Sequence, residues 1–254
     1  MPGADTTDMA NYRGITNLNT TGKLLEHIVQ KQLRRHIKAL PNVGPLQSAC
    51  RALHSTKTAM TRVVIDLLTA ADSRTLSVLQ SLDISAAFDT LDQRRILDRA
   101  KDLFGFEGVT LKWLSSYLSG CQHDVSVGGQ RSPTVTMSSG IPQGSALGPL
   151  IFSVFTTPVG ALILSFGISY YQSADDTQLY PVISSTAGCM KNLSTCADAV
   201  MTWYIMNNLL LNSNKTEALV AEIRQPATRQ VRHIKRSCGF GHDLNIHSKD
   251  TSSR

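Results

Sequence analysis

The stretch from Ile168 to Ile183, ISYYQSADDTQLYPVI, constrains this chain more than any other. Two β-prone runs, Ile168–Ser173 and Thr177–Ile183, flank Ala174-Asp175-Asp176 and predict a β-hairpin with two carboxylates at its tip. Adjacent acids in a tight turn repel one another, so a fold that keeps both needs a compensating cation. A hard divalent ion such as Mg²⁺ suits them, because it takes one or two carboxylates and completes its shell with water and phosphate oxygens. Asp is also an ordinary turn residue, and the rest of the chain has to separate the two readings.

Upstream, Met1–Ala10 is small, polar and unpatterned, which predicts a frayed start. Leu24 to Leu40 is amphipathic. Leu25, Ile28, Val29, Leu33, Ile37 and Leu40 mark an apolar face, with Lys31, Arg34, Arg35 and Lys38 opposite. That basic face is either solvated or set beside a nucleic-acid backbone. Pro41 stops the helix. Pro45–Arg51 reads as a loop, and Ser55 as the N-cap of a second helix to about Ala71. Thr75–Ile84 predicts a strand ending at Asp83, followed by a turn and by helices over Gln93–Leu103 and about Val109–Ser119. A carboxylate at a strand end is either a simple terminator or a ligand group in a cleft.

Asp124–Val127 and Thr134–Met137 alternate around Gly128-Gly129 and predict a second hairpin. The loop from Ser139 to Pro149 follows. Its Gly140 and Gly144 let backbone approach a ligand closely, and Gln143 offers both a donor and an acceptor. Such a loop can equally be punctuation, and without a Gly-Lys-Ser/Thr it is not a Walker loop. An apolar helix then runs to about Leu164. After the acidic hairpin, Thr186–Asn208 predicts a helix that buries Met190, Leu193, Ala197, Val200, Met201 and Tyr204, with Cys189 and Cys196 as core. Ala218–Ile223 is the last predicted strand. Residues 224–254 carry Arg and Lys among Ser, Gly and His without periodicity, which predicts a basic, disordered tail.

Composition narrows the class. The 254 residues are 42% hydrophobic and 17% charged, enough for a sizeable core and against wholesale disorder. The net charge of +6 and the pI near 9.2 are compatible with a polyanionic partner. Five scattered cysteines without a C-x-x-C pair read as reduced, intracellular thiols and argue against zinc. No signal peptide is visible. The longest apolar run, Leu147–Ile168, is interrupted by Gly, Pro, Ser and Thr, so no membrane partner is expected.

Asp83 at a strand end and Asp175-Asp176 in a hairpin can meet on one sheet surface of an α+β fold. Three carboxylates there could hold two divalent ions across an in-line phosphoryl transfer. The motifs in order then carry a resemblance. Asn11-Tyr-Arg-Gly-Ile-Thr-Asn-Leu, Gln47-Ser-Ala-Cys-Arg with His54-Ser-Thr, Leu82-Asp-Ile-Ser-Ala-Ala-Phe-Asp-Thr-Leu-Asp, Gly140-Ile-Pro-Gln-Gly-Ser-Ala-Leu-Gly-Pro-Leu-Ile-Phe, Ala174-Asp-Asp-Thr-Gln-Leu-Tyr, and finally Trp203 through Asn207 with Leu211-Asn212 and Lys215-Thr-Glu form one collinear series. This series resembles the reverse-transcriptase domain of non-LTR (LINE-type) retrotransposons, from about Asn11 to Glu222.

The resemblance implies a right-hand polymerase fold of fingers (11–74) and palm (75–223), with an antiparallel palm sheet packed on helices. Because the pattern ends after Glu222, the family's thumb is expected to be missing, as is its separate endonuclease. Asp83, Asp175 and Asp176 would be the metal-binding carboxylates, with the Ile84 carbonyl as a further ligand for two Mg²⁺, or Mn²⁺ as a substitute. Phe88 would be the steric gate against a ribose 2′-hydroxyl. Gln143 and Gly144 would contact the incoming nucleotide and the template-primer, Arg51 the triphosphate, and Lys215 the leaving pyrophosphate. The implied partners are an RNA template, a DNA primer and deoxynucleoside triphosphates, and family habit points to the nucleus.

The chain departs from the family pattern at several places. Ser173 stands where an aromatic is usual, Ala49-Cys50 where Gly-Phe is usual, Ala52-Leu53 where Pro-Gly is usual and Gly14 where Pro is usual. Ser173, the altered fingers and the missing thumb also suit an inactive retroelement remnant, and the basic surface suits a nucleic-acid-binding module without catalysis.

Overall fold

The computed structural model describes residues 16, 18–40, 61, 63–66, 68–69, 72, 76–127, 129–173, 176–180, 182–183, 186–212, 216–225 and 228–235. The chain runs as α1 (Thr20–Ala39), β1 (Leu76–Leu82), β2 (Ile84–Ser85), α2 (Gln93–Asp102), α3 (Gly108–Leu118), β3 (Gln122–His123), β4 (Ser126–Val127), β5 (Gln130–Arg131), β6 (Val135–Thr136), α4 (Gly148–Ser165), β7 (Ser169–Ser173), β8 (Asp176–Tyr180), β9 (Val182–Ile183), α5 (Thr186–Met206), β10 (Leu210–Leu211), β11 (Glu217–Gln225) and β12 (Thr228–Lys235). Residues 61, 63–66, 68, 69 and 72 are helical as well.

The principal sheet is antiparallel, in the order β12-β11-β1-β8-β7, with β9 also paired to β1. Its period of two is visible in the packing. Val78 and Leu82 of β1, Tyr170 of β7 and Leu179 of β8 enter the main core, whereas Leu79, Tyr171 and Tyr180 gather with Val63 in a second cluster. The central strands are thus covered on both faces.

Helix α4 is the spine of the main core. Ser145 accepts a hydrogen bond from the Gly148 amide through its hydroxyl (2.7 Å), and Pro149 occupies the first turn, so the loop ahead hands directly into the helix. Leu150, Ile151, Phe152, Val154, Phe155, Val159 and Ile163 are all buried. Among the described residues this is the one helix long and apolar enough to cross a membrane, and most of it lies inside the protein.

Gly160 lets α4 meet β7. A Cβ there would lie 2.1 Å from the Tyr170 hydroxyl oxygen and 2.8 Å from Cζ, and Tyr170 is itself fully enclosed. Gly160→Ala is therefore expected to destabilise the protein by about 3 kcal/mol, read as a lowered denaturation midpoint. Adding Tyr170→Phe, which removes the nearest atom, should recover part of the loss; an unchanged midpoint in the single variant would show that the contact has slack.

Several expectations change. The inward face of α1 is formed by Glu26, Leu33 and Ile37, and Leu24, Leu25 and Ile28 are exposed. A carboxylate took an interior position that the apolar count assigned to neighbouring leucine and isoleucine, because it has partners there. Chain beyond Ile223 is not a patternless tail throughout. β11 continues to Gln225, and β12 pairs with it from Glu217↔Lys235 to Gln225↔Thr228. The stretch TRQVRHIK lacks hydrophobic alternation, so its pairing comes from the exposed edge of β11 rather than from side-chain contrast. The second hairpin is two short ladders, Gln122–His123 with Val135–Thr136 and Ser126–Val127 with Gln130–Arg131. The expected loop at 45–51, the Ser55 cap and the segment 236–254 lie outside the described residues.

Candidate active site

Strand β1 ends at Leu82, which pairs with Thr177 of β8. The same antiparallel register carried one residue further sets Asp83 across from Asp176, the first residue of β8. Side chains opposite one another on neighbouring strands share a face and have Cβ atoms about 5 Å apart. Asp83 is half-buried and Asp176 exposed, so the pair sits at the open end of the sheet. Below it, Tyr204 of α5 meets the Thr177 hydroxyl (3.0 Å), and burial pushes the Tyr204 phenol up to about 12, which keeps it neutral. Asp83 leaves β1 by a second attachment. Its carbonyl accepts the Asn212 amide (2.8 Å), while Ile84 and Ser85 pair with Leu211 and Leu210.

The chain then turns through Ala86 at φ 47° to Phe88 and Asp89, and the 139–146 loop clasps this turn. The Gly140 amide donates to the Leu91 carbonyl (2.7 Å) and the Ile141 amide to the Phe88 carbonyl (2.8 Å). Ser139 donates through its hydroxyl to the Asp89 carbonyl (3.3 Å), and the Gln93 amide group donates to the Gly140 carbonyl (3.2 Å). Gly140 has φ 82°, and a Cβ there would lie 2.7 Å from the Asp89 carbonyl oxygen. Only glycine meets both the left-handed backbone and the close approach. The Phe88 ring is half-buried and packs on Phe152 of α4 with centroids 5.2 Å apart.

Gln143 lies on this loop. Its Nε2 donates to both Asp89 carboxylate oxygens (2.9 and 2.8 Å), and its main-chain carbonyl accepts the Thr16 amide (2.9 Å). Gly144 follows at φ 89°. Behind it the buried Glu26 accepts the Ala146 amide (2.7 Å) and the Tyr117 hydroxyl (2.7 Å), and Gln30 donates to the Ala146 carbonyl. Burial pushes the Tyr117 phenol well above its ordinary range, so it remains a donor. Glu26, Tyr117 and Gln30 are supports that the sequence reading missed. The available signal was that Glu26 falls on the same helical stripe as Leu33 and Ile37 and interrupts it.

The Trp203–Asn207 segment has a packing role. Asn207 accepts from Arg99 (2.5 Å) and Arg95 (2.9 Å) and donates to the Trp203 carbonyl (2.7 Å). The Arg99 guanidinium lies over Phe155 (4.1 Å) and Trp203 (4.8 Å), and burial lowers its pKa to about 10. This bolts α5 to α2 and α4. Asp92, by contrast, caps α2 by accepting the Arg94 and Arg95 amides. An open cavity of about 570 Å³ beside it is lined by Thr90, Arg94, Ser139 and Asn208 among others, but by none of the residues predicted to act.

Of the predicted site residues, Asp83, Ile84, Phe88, Gln143, Gly144 and Asp176 belong to this one region of the fold. Arg51, Asp175 and Lys215 lie outside the described residues. Among the described residues no three His, Cys, Asp or Glu side chains converge as a metal site. Asp83 and Asp176 nevertheless supply hard carboxylate oxygens at an open, exposed edge, and Asp175 is next in the chain, so the donor set fits a hard divalent ion.

A profile described as Reverse transcriptase (RNA-dependent DNA polymerase) matches residues 3–238, which span nearly the whole chain. The chain belongs to the reverse transcriptase family. The RNA-directed DNA polymerase from mobile element jockey of Drosophila melanogaster is 30% identical over 225 residues, 84% of this chain and 24% of that protein. The probable RNA-directed DNA polymerase from transposon BS of the same species is 31% identical over 157 residues, 61% of this chain and 17% of that protein. The reverse transcriptase thus spans about a quarter or less of these curated relatives. These matches agree with a domain of the LINE-type retrotransposon class.

Among solved structures, apo telomerase from Candida tropicalis truncated from its C-terminal domain superposes with a TM-score of 0.59 at 14% identity, covering 87% of this chain and 48% of that one. Telomerase from Candida albicans in complex with a fragment of telomeric RNA gives 0.56 at 14% identity, covering 82% and 35%. At that identity the likeness is one of fold: mixed helices and antiparallel sheet, as in polymerase fingers and palm.

Proposed function

We propose that this reverse transcriptase adds deoxynucleotides to a primer 3′ end on an RNA template, with fingers at 11–74 and palm at 75–223. The observation that supports the reading is the register of β1 and β8, which ends at Leu82↔Thr177 with Asp83 and Asp176 as the next residues, in a chain that the family matches over residues 3–238. Asp83, Asp175 and Asp176 would hold two Mg²⁺, with the Ile84 carbonyl as a further oxygen. When bound, those ions would lower the charge on the triphosphate and favour the ionised primer hydroxyl.

The chain's own residues do the rest. Phe88, backed by Phe152, limits the volume beside the sugar. Gln143 and Gly144 line the approach of the nucleotide to the templating base. Arg51 receives triphosphate oxygens, to which a guanidinium fork is matched. Lys215 would be the cation for the leaving pyrophosphate and the proton donor to it.

The test is primer extension by the purified chain on an RNA template with deoxynucleotides and Mg²⁺. The expected result is extension that disappears in an Asp175→Asn/Asp176→Asn control. No extension from protein shown to be folded would overturn the reading in favour of an inactive remnant, and salt-sensitive nucleic-acid binding without extension would favour a binding module.

A further inference from the structure

The carboxylate of Asp89 has the sequence position of a helix-start residue, but that task falls to Asp92, whose side chain accepts the Arg94 and Arg95 amides. Asp89 instead gives both carboxylate oxygens to the Gln143 amide nitrogen, at 2.9 and 2.8 Å. These two residues are 54 positions apart and come from the two loops that the clasp joins. The clasp itself does not need that side chain. Backbone bonds from Gly140 to Leu91 and from Ile141 to Phe88, with the Ser139 hydroxyl on the Asp89 carbonyl, already hold the loops together.

A glutamine amide has two chemically different ends, and rotation about its last bond exchanges them. With its nitrogen turned to Asp89, Gln143 presents its carbonyl oxygen on the other side, and that oxygen accepts nothing from the described residues. A carboxylate can only accept, so it selects this orientation and rejects the flipped one, in which two oxygens would face each other.

We propose that Asp89 is a positioning residue. It fixes Gln143 so that the loop offers a hydrogen-bond acceptor, and not a donor, to the incoming nucleotide. The inference rests on the polymerase reading for its consequence in catalysis, but the orientation itself does not depend on that reading.

The experiment has two arms. In the first, the side-chain amide of Gln143 is followed by nitrogen-15 NMR in the folded 254-residue chain. The parent should show an amide proton shifted away from the position of a free glutamine side chain and protected from exchange with solvent, and Asp89→Ala should return both properties to the free values. An unchanged amide in Asp89→Ala would overturn the proposal whatever the chain's activity.

In the second arm, steady-state extension is measured with Asp89→Ala, Gln143→Ala and the double variant. A hydrogen bond to a charged group predicts a loss of about 10- to 50-fold in kcat/KM for Asp89→Ala, carried mainly by KM for the deoxynucleotide. Since Asp89 acts through Gln143, the double variant should be no worse than Gln143→Ala. Additive losses, or a loss confined to kcat, would overturn it. The exchange Asp89→Asn/Gln143→Glu restores a donor–acceptor pair and keeps an acceptor on residue 143, so it should recover activity that Gln143→Glu alone loses. If the parent chain extends no primer while its Gln143 amide responds as expected, the polymerase reading fails and the orientation stands.

Discussion

Asp83→Asn is expected to abolish Mg²⁺-dependent extension, by about 10³-fold or more, the scale on which removing one preorganised charge-balancing group acts. The same change is expected to leave the fold intact. Asp83 is half-buried at the end of β1 and outside the apolar core, so the exchange removes a ligand oxygen and its charge without opening a cavity. A core residue would behave in the opposite way, losing activity because the fold is lost.

Two measurements separate these cases. Thermal midpoints without metal should be close in the parent and in Asp83→Asn. Added Mg²⁺ should raise the midpoint of the parent, because a ligand that binds only the native state stabilises it by mass action, and should raise that of the variant much less. Persisting extension in Asp83→Asn, or an equal response of both proteins to Mg²⁺, would remove Asp83 from the metal site. The pairing of a retained fold with an activity loss is what marks a residue kept for function and not for packing.

Much of this site was legible because its signals are local. The hairpin at 168–183 announces itself by two β-prone runs around acidic turn residues, and Asp83 by its place at the end of an apolar strand. The structure pairs those strands from Ser169↔Tyr180 to Ser173↔Asp176, with Leu82 against Thr177. Glu26 was marked only by its place on the Leu33 and Ile37 stripe, and its burial becomes intelligible once the Ala146 amide and Tyr117 hydroxyl are known. Leu25 and Ile28 misled for the complementary reason: an apolar stripe says which residues prefer burial, but not whether a neighbouring element is there to bury them. β12 escaped because an edge strand can pair through backbone alone. The partner of Asp89, Gln143, lies across a tertiary contact that no local rule reports.

Phe88 gives the second large effect. Phe88→Val is expected to raise incorporation of ribonucleotides relative to deoxynucleotides by about 10²-fold, with the extension rate on deoxynucleotides changed far less. A gate that works by volume must be unable to retreat. The Phe88 ring is half-buried against Phe152, and a Cβ at Gly148 would be only 3.6 Å from its edge, so α4 stands directly behind it. Its backbone is held as firmly, because the Phe88 carbonyl accepts the Ile141 amide at 2.8 Å and the next residue is clasped by Gly140 and Gln143. Forcing one extra hydroxyl against a surface that cannot yield costs about 3 kcal/mol, which is about 10²-fold in rate. Valine removes that surface without adding a polar group.

The truncation also costs about 1–2 kcal/mol of stability through lost contact with Phe152. Selectivity is therefore measured as a ratio within one preparation, to which a uniform loss of folded protein contributes nothing. An unchanged ratio in Phe88→Val would mean that the 2′-hydroxyl is rejected elsewhere, and the ring would then be a core residue that reaches the surface. A changed ratio would locate the sugar of the incoming nucleotide beside the turn that joins Asp83 to Asp89, and so tie the carboxylates and the Gln143 loop to one bound substrate.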